Sequence, residues 1–113
     1  MIRMTLMYNL PDNADEAEFL RWRLGDHQEE NAAMPGVIRT SFARITEQWT
    51  LENPHAPAPY RFMTVVEWAD RETFEKSFYS ESDEDWQASL AIMKDPMFLI
   101  TEVLVSTEVE SAS

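Results

Sequence analysis

The sequence predicts an α+β fold, with elements in the order β-α-β-β-α-α-β. The first observation behind this prediction is the alternation of residues between two faces in four segments, which is typical of strands with one covered face. The second is a set of helical segments that begin at capping residues and end near proline. The chain has 113 residues, of which 44% are hydrophobic, and this is enough for one core. We therefore expect a single domain over residues 1–109, with a disordered tail at 110–113.

Four strands are predicted, over residues 2–10, 37–50, 61–69 and 98–109. Alternation in the first strand places four side chains on one face: Ile2, Met4, Leu6 and Tyr8. The corresponding face of the third strand carries Phe62, Thr64, Val66 and Trp68. In the second strand, one face is predicted to carry Ile38, Thr40 and Phe42. Residues 51–60 contain three prolines and are predicted to form a connecting loop.

Three helices are predicted between the strands. The first covers residues 15–33, with Asp15 or Asn13 as its cap, and ends at Pro35-Gly36. Gly25 lies inside it and costs about 1 kcal/mol relative to alanine. The second helix follows the cap Asp70 and carries phenylalanines at i, i+4 spacing. The third opens at Ser82 and is stopped by Asp95-Pro96, with an apolar stripe of Trp86, Leu90 and Met93. A split β-α-β unit used twice is the ferredoxin-like plan.

Charge and composition exclude several functions. The formal net charge is −12, and the basic residues are scattered, so neither nucleic acid nor an anionic membrane is an expected partner. Cysteine is absent, which excludes disulfides and thiolate chemistry. The N-terminal segment lacks the features of a signal peptide, and no apolar run has the length of a membrane span. We expect a cytoplasmic protein.

No cofactor and no metal site are expected. The two glycines of the chain cannot make a Gly-rich phosphate loop. His27 lies on a helix and His55 in the Pro-rich loop, so the two histidines do not have the spacing of a metal-ligand set. Haem would require one of them as an axial ligand, and nothing else in the sequence supports it.

The first helix carries the principal candidate site. Its apolar stripe, made of Phe19, Leu20, Leu24 and Met34, also contains Arg23 and His27, and Glu30 lies at its edge. Spacings of i, i+4 and i, i+3 allow these three polar groups to touch. His27 is a candidate acid or base, with Glu30 orienting its ring and Arg23 stabilising an oxyanion. The alternative is a packed histidine beside an intrahelical ion pair.

Aromatic side chains are candidates for the walls of a ligand cleft. Tyr8, Phe42, Phe62 and Trp68 lie on predicted inner strand faces, and we expect them to bind a ligand together with Phe19 and Glu30. The alternative is that these aromatic residues are ordinary core. Glu67 is a possible second carboxylate, although an exposed position on the strand face is the stronger expectation.

The order and spacing of several segments resemble the EthD-like family of the dimeric α/β-barrel superfamily. The likeness covers roughly residues 1–105, and His27 followed by Pro35-Gly36 is its most specific part. Members often have His-x-Pro where this chain has His27-Gln28-Glu29. The other points of match are the strand IRMTLMY, the helix start Asp15-Glu16-Ala17-Glu18-Phe19, Trp22-Arg23, Met34, Glu67-Trp68 and Asp95-Pro96.

This resemblance implies a four-stranded antiparallel sheet with helices on one face. It also implies that two such sheets would pair across a homodimer to form an eight-stranded barrel, with ligand clefts between each sheet and its helices. Activities in the superfamily include cofactor-free monooxygenation of aromatic polyketides, cyclisation and lactone isomerisation, with haem chemistry in distant branches. EthD-like members are often accessory proteins in catabolic gene clusters.

A bare second sheet face independently favours a homodimer, because a sheet covered on one side only would expose an apolar surface. The candidates for that face are Val37, Ala43, Ile45, Met63 and Val65. Three functions remain open: a cofactor-free enzyme acting on a hydrophobic aromatic or lactone-type compound, a non-catalytic carrier of such a compound, and a structural oligomer whose cleft is filled by its own side chains.

Overall fold

The computed structural model describes residues 1–109, which form a four-stranded antiparallel sheet with helices on one face. The strand order is β2-β3-β1-β4, so the predicted ferredoxin-like fold is confirmed. Along the chain the elements are β1 (Ile2–Asn9), α1 (Glu16–Leu24), α2 (Asp26–Ala32), β2 (Val37–Arg44), β3 (Phe62–Trp68), α3 (Arg71–Phe78), α4 (Asp83–Ala91) and β4 (Lys94–Glu102).

The core lies between the helices and the inner face of the two central strands. In β1 and β3 the predicted alternation is confirmed, because every second residue is buried. The pairing of Ile2 with Trp68 and of Tyr8 with Phe62 aligns these buried rows. Phe74 from α3 completes the buried cluster and is fully covered. The inner face of β1 and β3 therefore forms the floor on which the helices pack.

Side-chain caps fix where three helices begin. The Asp15 carboxylate accepts a hydrogen bond from the Glu18 backbone N–H at 3.2 Å. Asp70 does the same for Thr73 at 2.8 Å. The Ser82 hydroxyl caps α4 through the N–H of Asp85. Each cap satisfies a backbone donor that the first helical turn leaves unpaired.

The first helical segment is not one continuous helix. The prediction of a single helix over residues 15–33 is wrong, because the chain breaks at Gly25 into α1 and α2. The backbone N–H of Gly25 still bonds to the Arg21 carbonyl at 3.2 Å, and its own carbonyl accepts from Glu29 at 3.2 Å. The two helices are therefore joined directly, with a change of direction at Gly25, which has no side chain.

The turn after α2 requires glycine at position 36. Gly36 has a φ of 79°, in the left-handed region that residues with a Cβ rarely adopt. A Cβ at this position would lie 2.8 Å from the Cβ of Thr73 in α3. The predicted stop at Pro35-Gly36 thus marks both the turn into β2 and a close approach to α3.

The second strand differs from its prediction in length and in facing. It ends at Arg44 rather than at residue 50, since β3 starts at Phe62 and the Pro-rich stretch before it cannot extend the ladder. A bulge between Val37 and Arg39 shifts the alternation. Val37 therefore packs against the core, while Ile38 is 56% exposed. The prediction that Ile38 shares the inner face with Thr40 and Phe42, and that Val37 lies on the open face, is therefore wrong for Val37 and Ile38. Thr40 and Phe42 face inward as expected.

The last strand begins earlier and ends earlier than predicted. Asp95-Pro96 does not stop α4, which already ends at Ala91, but lies inside β4. Proline is tolerated there because β4 is an edge strand and the pairing with β1 is irregular at this point. The strand ends at Glu102 because this residue pairs with Ile2, at the start of β1.

The open face of the sheet carries apolar and paired charged side chains. Glu67 is buried rather than exposed, with 4% of its surface accessible. Its carboxylate lies 3.4 Å from Arg3 Nε and 3.9 Å from an Arg39 nitrogen. Around it the register places neutral side chains on the same face: Thr5, Met7, Ala43, Met63, Val65, Met97 and Leu99.

Within residues 1–109, no helix has the length and hydropathy to cross a membrane. The predicted disordered tail, 110–113, lies outside the described residues.

Candidate functional site

A cavity of about 340 Å³ lies between the inner face of the sheet and the helices. Its floor is formed by side chains of the two central strands: Met4, Leu6, Tyr8, Thr64 and Trp68. Helices α1 and α2 supply one wall, with Trp22, Arg23, His27, Glu30 and Asn31. The opposite wall comes from α3, α4 and the middle of β4 and includes Ser77, Phe78, Trp86 and Phe98. This volume is in the range of small-molecule pockets.

Arg23 is a buried cation at the edge of this cavity. It lies near the end of α1 and exposes 1% of its surface. Its guanidinium donates to Gln28 Oε1 at 2.7 Å and to Thr64 Oγ1 at 3.2 Å. It also lies 4.2 Å from the centre of the Phe42 ring, which gives a cation–π contact. These contacts fix the position of the guanidinium.

No carboxylate in residues 1–109 lies within 4 Å of Arg23; the ion pairs of this part of the chain involve other residues. Burial lowers the pKa of Arg23, while Tyr8 beside it acts in the opposite direction. An arginine stays protonated in spite of such a shift. A buried positive charge without an anionic partner is costly, so this part of the cavity favours a negatively charged or strongly polar oxygen.

Tyr8 lies next to Arg23 on the floor of the cavity. Its pKa is raised because burial disfavours the phenolate, and the neighbouring Arg23 and Thr64 oppose this effect only in part. Tyr8 is therefore protonated at neutral pH, and its hydroxyl can donate a hydrogen bond. Together, Arg23 and Tyr8 form a donor group at one end of the cavity.

His27 lies at the start of α2 and faces the same cavity. Its ring stacks on Trp22, with ring centroids 4.2 Å apart. Its Nδ1 atom is 3.5 Å from Glu30 Oε2 but has no hydrogen-bond partner. The pKa of His27 is lowered mainly by burial and further by Arg23, against an opposing effect of Glu30. The imidazole is therefore neutral at pH 7 and able to accept a proton.

Two further buried polar atoms, on side chains that line the cavity, are unpaired. The indole Nε1 of Trp68, at the end of β3, has no hydrogen-bond partner, and neither has the hydroxyl of Ser77 on α3. Both residues line the cavity and both are buried, with 0% and 6% of their surfaces exposed. Buried polar atoms without partners are uncommon in folded proteins.

The structure brings together five of the eight predicted site residues. These five line the cavity: Tyr8, Arg23, His27, Glu30 and Trp68. The other three, Phe19, Phe42 and Phe62, do not line it. They form an aromatic cluster beside Tyr8, in which Phe62 lies 5.3 Å from Phe19 and 5.4 Å from Phe42 between ring centroids. Their contribution is to hold Tyr8 and Arg23 in place.

Sequence reasoning did not assign Trp22, Thr64 or Ser77 to the site. A signal existed for Thr64, which is a polar residue on the predicted buried face of β3. Ser77 follows Phe74 by three residues and therefore shares its helix face. Trp22 reaches His27 only because of the break at Gly25, which the sequence pattern did not indicate.

Neither histidine forms part of a metal-ligand group. Among residues 1–109, no three His, Cys, Asp or Glu side chains are grouped as metal ligands. His55 lies far out in the loop, with 81% of its side chain exposed, and pairs with Glu47 at 2.8 Å.

A family model described as REDY-like protein HapK matches residues 2–104 of this chain. The chain belongs to this family. HapK from Hahella chejuensis has a similar structure, with 21% identity and a TM-score of 0.69 over 98% of this chain and 100% of that one. Comparison with curated proteins gave no match.

Two other solved structures extend the comparison beyond the HapK family. An EthD family protein from Bacillus halodurans has 17% identity and a TM-score of 0.69, over 92% of this chain and 99% of that one. SnoaB, a cofactor-independent oxygenase from Streptomyces nogalater, has 12% identity and a TM-score of 0.63, over 93% and 94%. At these identities the likeness shows a shared fold. The expected relationship to EthD-like proteins is confirmed at this level. A further structure with this fold, from Thermobifida fusca, is described as a dimeric ferredoxin-like protein.

Proposed function

We propose that this chain binds a hydrophobic aromatic or lactone-type metabolite in the sheet–helix cavity and acts on it without a cofactor, as an isomerase, cyclase or monooxygenase. The observation that carries the proposal is the buried Arg23 guanidinium, which has no carboxylate within 4 Å in residues 1–109 and lies beside a neutral His27. Two of its five N–H groups bond to Gln28 and Thr64. Arg23 also lines the cavity, next to Tyr8.

The chemistry follows from the protonation states of these groups. A neutral His27 can take a proton from an acidic C–H or O–H of the ligand. The electron pair left behind moves onto a ligand oxygen, and Arg23 and Tyr8 stabilise the resulting enolate or phenolate. Return of the proton from His27 to a different atom gives isomerisation. Attack of the carbanion on a carbonyl within the same ligand gives cyclisation, and its reaction with O₂ begins a monooxygenation.

A proton-exchange assay tests this proposal without knowledge of the natural substrate. The probe is 2-tetralone, a two-ring ketone whose acidic C–H protons exchange in D₂O and can be followed by NMR. The protein is expected to accelerate this exchange, and His27→Gln is expected to remove most of the acceleration. His55→Gln is the matched control, since it removes the exposed histidine. Equal exchange in the wild-type and His27→Gln proteins would exclude an acid–base role for His27.

One observation favours the carrier alternative. The distance of 3.5 Å between His27 Nδ1 and Glu30 is too long for a good hydrogen bond, and the Glu30 side chain is 69% exposed. The pair is therefore only loosely oriented for proton transfer. A non-catalytic carrier would bind 2-tetralone without accelerating its exchange. The open cavity does not favour the third possibility, a structural oligomer with a filled cleft.

The proposal includes a two-fold homodimer in the cytoplasm. Its support is the open face of the sheet, where apolar side chains such as Met63, Val65 and Leu99 lie on the same face as the buried Glu67. Dimeric proteins with the same fold are consistent with this arrangement. In such a dimer the two open faces meet, and each copy keeps its own cavity on the opposite side of the sheet.

A further inference from the structure

Trp68, which carries one of the two unpaired atoms, is separated along β3 from the residue that contacts Arg23. Thr64, which contacts Arg23, and Trp68 belong to the same strand and face, four residues apart. Strands rise about 3.3 Å per residue, so these two floor positions are about 13 Å apart. On the neighbouring strand β1, Leu6 pairs with Thr64 and Met4 pairs with Val66, and both β1 side chains line the cavity. The floor between Thr64 and Trp68 is therefore apolar.

The packing of the core does not require a polar atom at either of these two positions. A phenylalanine in place of Trp68, or an alanine in place of Ser77, would fill the same positions without an unpaired polar atom. Leaving a buried donor without a partner destabilises the folded state, and neither atom has a partner in residues 1–109. Both side chains line a cavity large enough to hold the missing acceptor.

We propose that Trp68 and Ser77 form a second polar subsite, which accepts a neutral oxygen of the bound metabolite. This inference rests on the proposed function, because it concerns the same cavity. An indole N–H only donates, so the atom that it meets is an acceptor, such as a carbonyl, phenol or ether oxygen. Glu81 also lines the cavity, four residues after Ser77, and its carboxylate disfavours an anionic group at this end.

The size of the cavity specifies the ligand further. An apolar cavity of about 150 Å³ holds one benzene ring, so about 340 Å³ accommodates two. The ligand class is therefore an elongated two-ring aromatic compound with oxygen atoms at both ends. One oxygen meets Arg23 and Tyr8 and can carry negative charge, while the other meets Trp68 and Ser77 and stays neutral.

Two matched probes test the second subsite by isothermal titration calorimetry. 4-Hydroxybiphenyl carries one terminal oxygen, and 4,4′-dihydroxybiphenyl carries two. The wild-type protein is expected to bind the dihydroxy compound about tenfold more tightly, which is the effect of one or two buried hydrogen bonds. Ser77→Ala and Trp68→Phe are each expected to reduce this preference to about twofold or less. Ser77→Ala is the more informative variant, since it leaves the aromatic packing of Trp68 intact.

Thr40→Val is the matched control. The hydroxyl of Thr40 is also buried without a partner, but Thr40 does not line the cavity. Its replacement is expected to leave the preference for the second oxygen unchanged. The second subsite does not exist if the wild-type protein binds both probes equally. The same conclusion follows if Ser77→Ala and Trp68→Phe both keep the preference for the dihydroxy compound, and the two polar atoms would then bind water at most. If neither probe binds, the proposed function fails and this inference fails with it.

Discussion

The indole of Trp22 and the imidazole of His27 stack across the break at Gly25, with ring centroids 4.2 Å apart and planes 27° apart. On a continuous helix, residues five positions apart point about 140° away from each other. The stack therefore depends on the change of direction between α1 and α2. It turns the His27 ring toward the cavity, so the break at Gly25 is part of the site.

Gly25→Ala is expected to weaken binding in the cavity with little effect on stability. Alanine favours a continuous helix by about 1 kcal/mol relative to glycine, and its Cβ would lie 3.1 Å from the Arg21 carbonyl oxygen. Both effects shift α2 and separate His27 from Trp22. Titration with 4-hydroxybiphenyl, alongside urea unfolding, measures the two quantities. Unchanged affinity would show that the stack does not shape the cavity.

The stability of the protein is expected to fall as the pH drops below about 6.5. Burial and Arg23 lower the pKa of His27 in the folded protein, so the unfolded chain binds a proton at a higher pH than the folded one does. Stability associated with neutral His27 is therefore complete above the unfolded pKa and is lost as the pH falls toward the folded pKa. Urea unfolding at about pH 7.5, 6.5 and 5.5 measures this dependence.

His27→Gln is the variant for this measurement, and it is expected to show a shallower loss of stability than the wild type over the same pH range. His55→Gln is the control. It removes the exposed histidine, so a comparison of the two variants separates the effect of losing half-buried His27 from the effect of losing a histidine in general. Parallel pH profiles for the wild-type and His27→Gln proteins would contradict the lowered pKa.

Arg23→Met is expected to separate stability from ligand binding. Methionine keeps much of the buried volume but removes a cation that has no carboxylate within 4 Å in the described chain. Replacement of buried charge by apolar groups is often neutral or stabilising, so we expect a free energy of unfolding within about 1 kcal/mol of the wild type, or above it. Arg23→Ala leaves a cavity and is expected to cost about 2–4 kcal/mol.

The effect of Arg23→Met on the bound ligand is measured with a coloured phenol, 4-hydroxy-4′-nitrobiphenyl. The absorbance of this compound reports its ionisation. Bound to the wild-type protein, its pKa is expected to fall by about one unit or more, the effect of a neighbouring guanidinium. In Arg23→Met this decrease is expected to disappear. A bound phenol with the same pKa in both proteins would mean that Arg23 does not stabilise an oxyanion.

Val65→Glu is expected to convert the proposed dimer into monomers. Val65 lies on the open face between Thr5 and Ser41, and a carboxylate there would have to be buried without a partner if two copies met. Sedimentation velocity measures the change in mass. Glu29→Gln, an exposed change on α2, is the control for the effect of altering one charge. A wild-type protein that is already monomeric at micromolar concentration would contradict the dimer itself.

The parts of the fold that depend on local pattern could be predicted from the sequence. Strands β1 and β3 are central, so their alternation reflects burial directly, and the caps at Asp15, Asp70 and Ser82 are signals within a few residues. The facing of Ile38 could not be predicted, because the bulge in β2 is a property of its pairing with β3. The limits of β4 likewise depend on where β1 begins.

The candidate site was predictable only in part, for a related reason. Arg23 and His27 stand out because they are polar residues in an apolar stripe. The cavity itself is the space that packing leaves between elements, and no local pattern encodes it. Ser77 therefore gave no signal of its own, and Phe62 was placed in the lining although it packs behind Tyr8.

The ion pairs around Glu67 have a consequence for how copies of this chain approach one another. The chain carries a net charge of −12, so two molecules repel each other over most of their surfaces. On the open sheet face, Arg3 and Arg39 offset Glu67 and Glu108, which lies 3.4 Å from Arg39. Those four charges cancel, and their neighbours are neutral. Electrostatic repulsion is therefore weakest where the open faces would meet, which favours face-to-face encounters over other orientations.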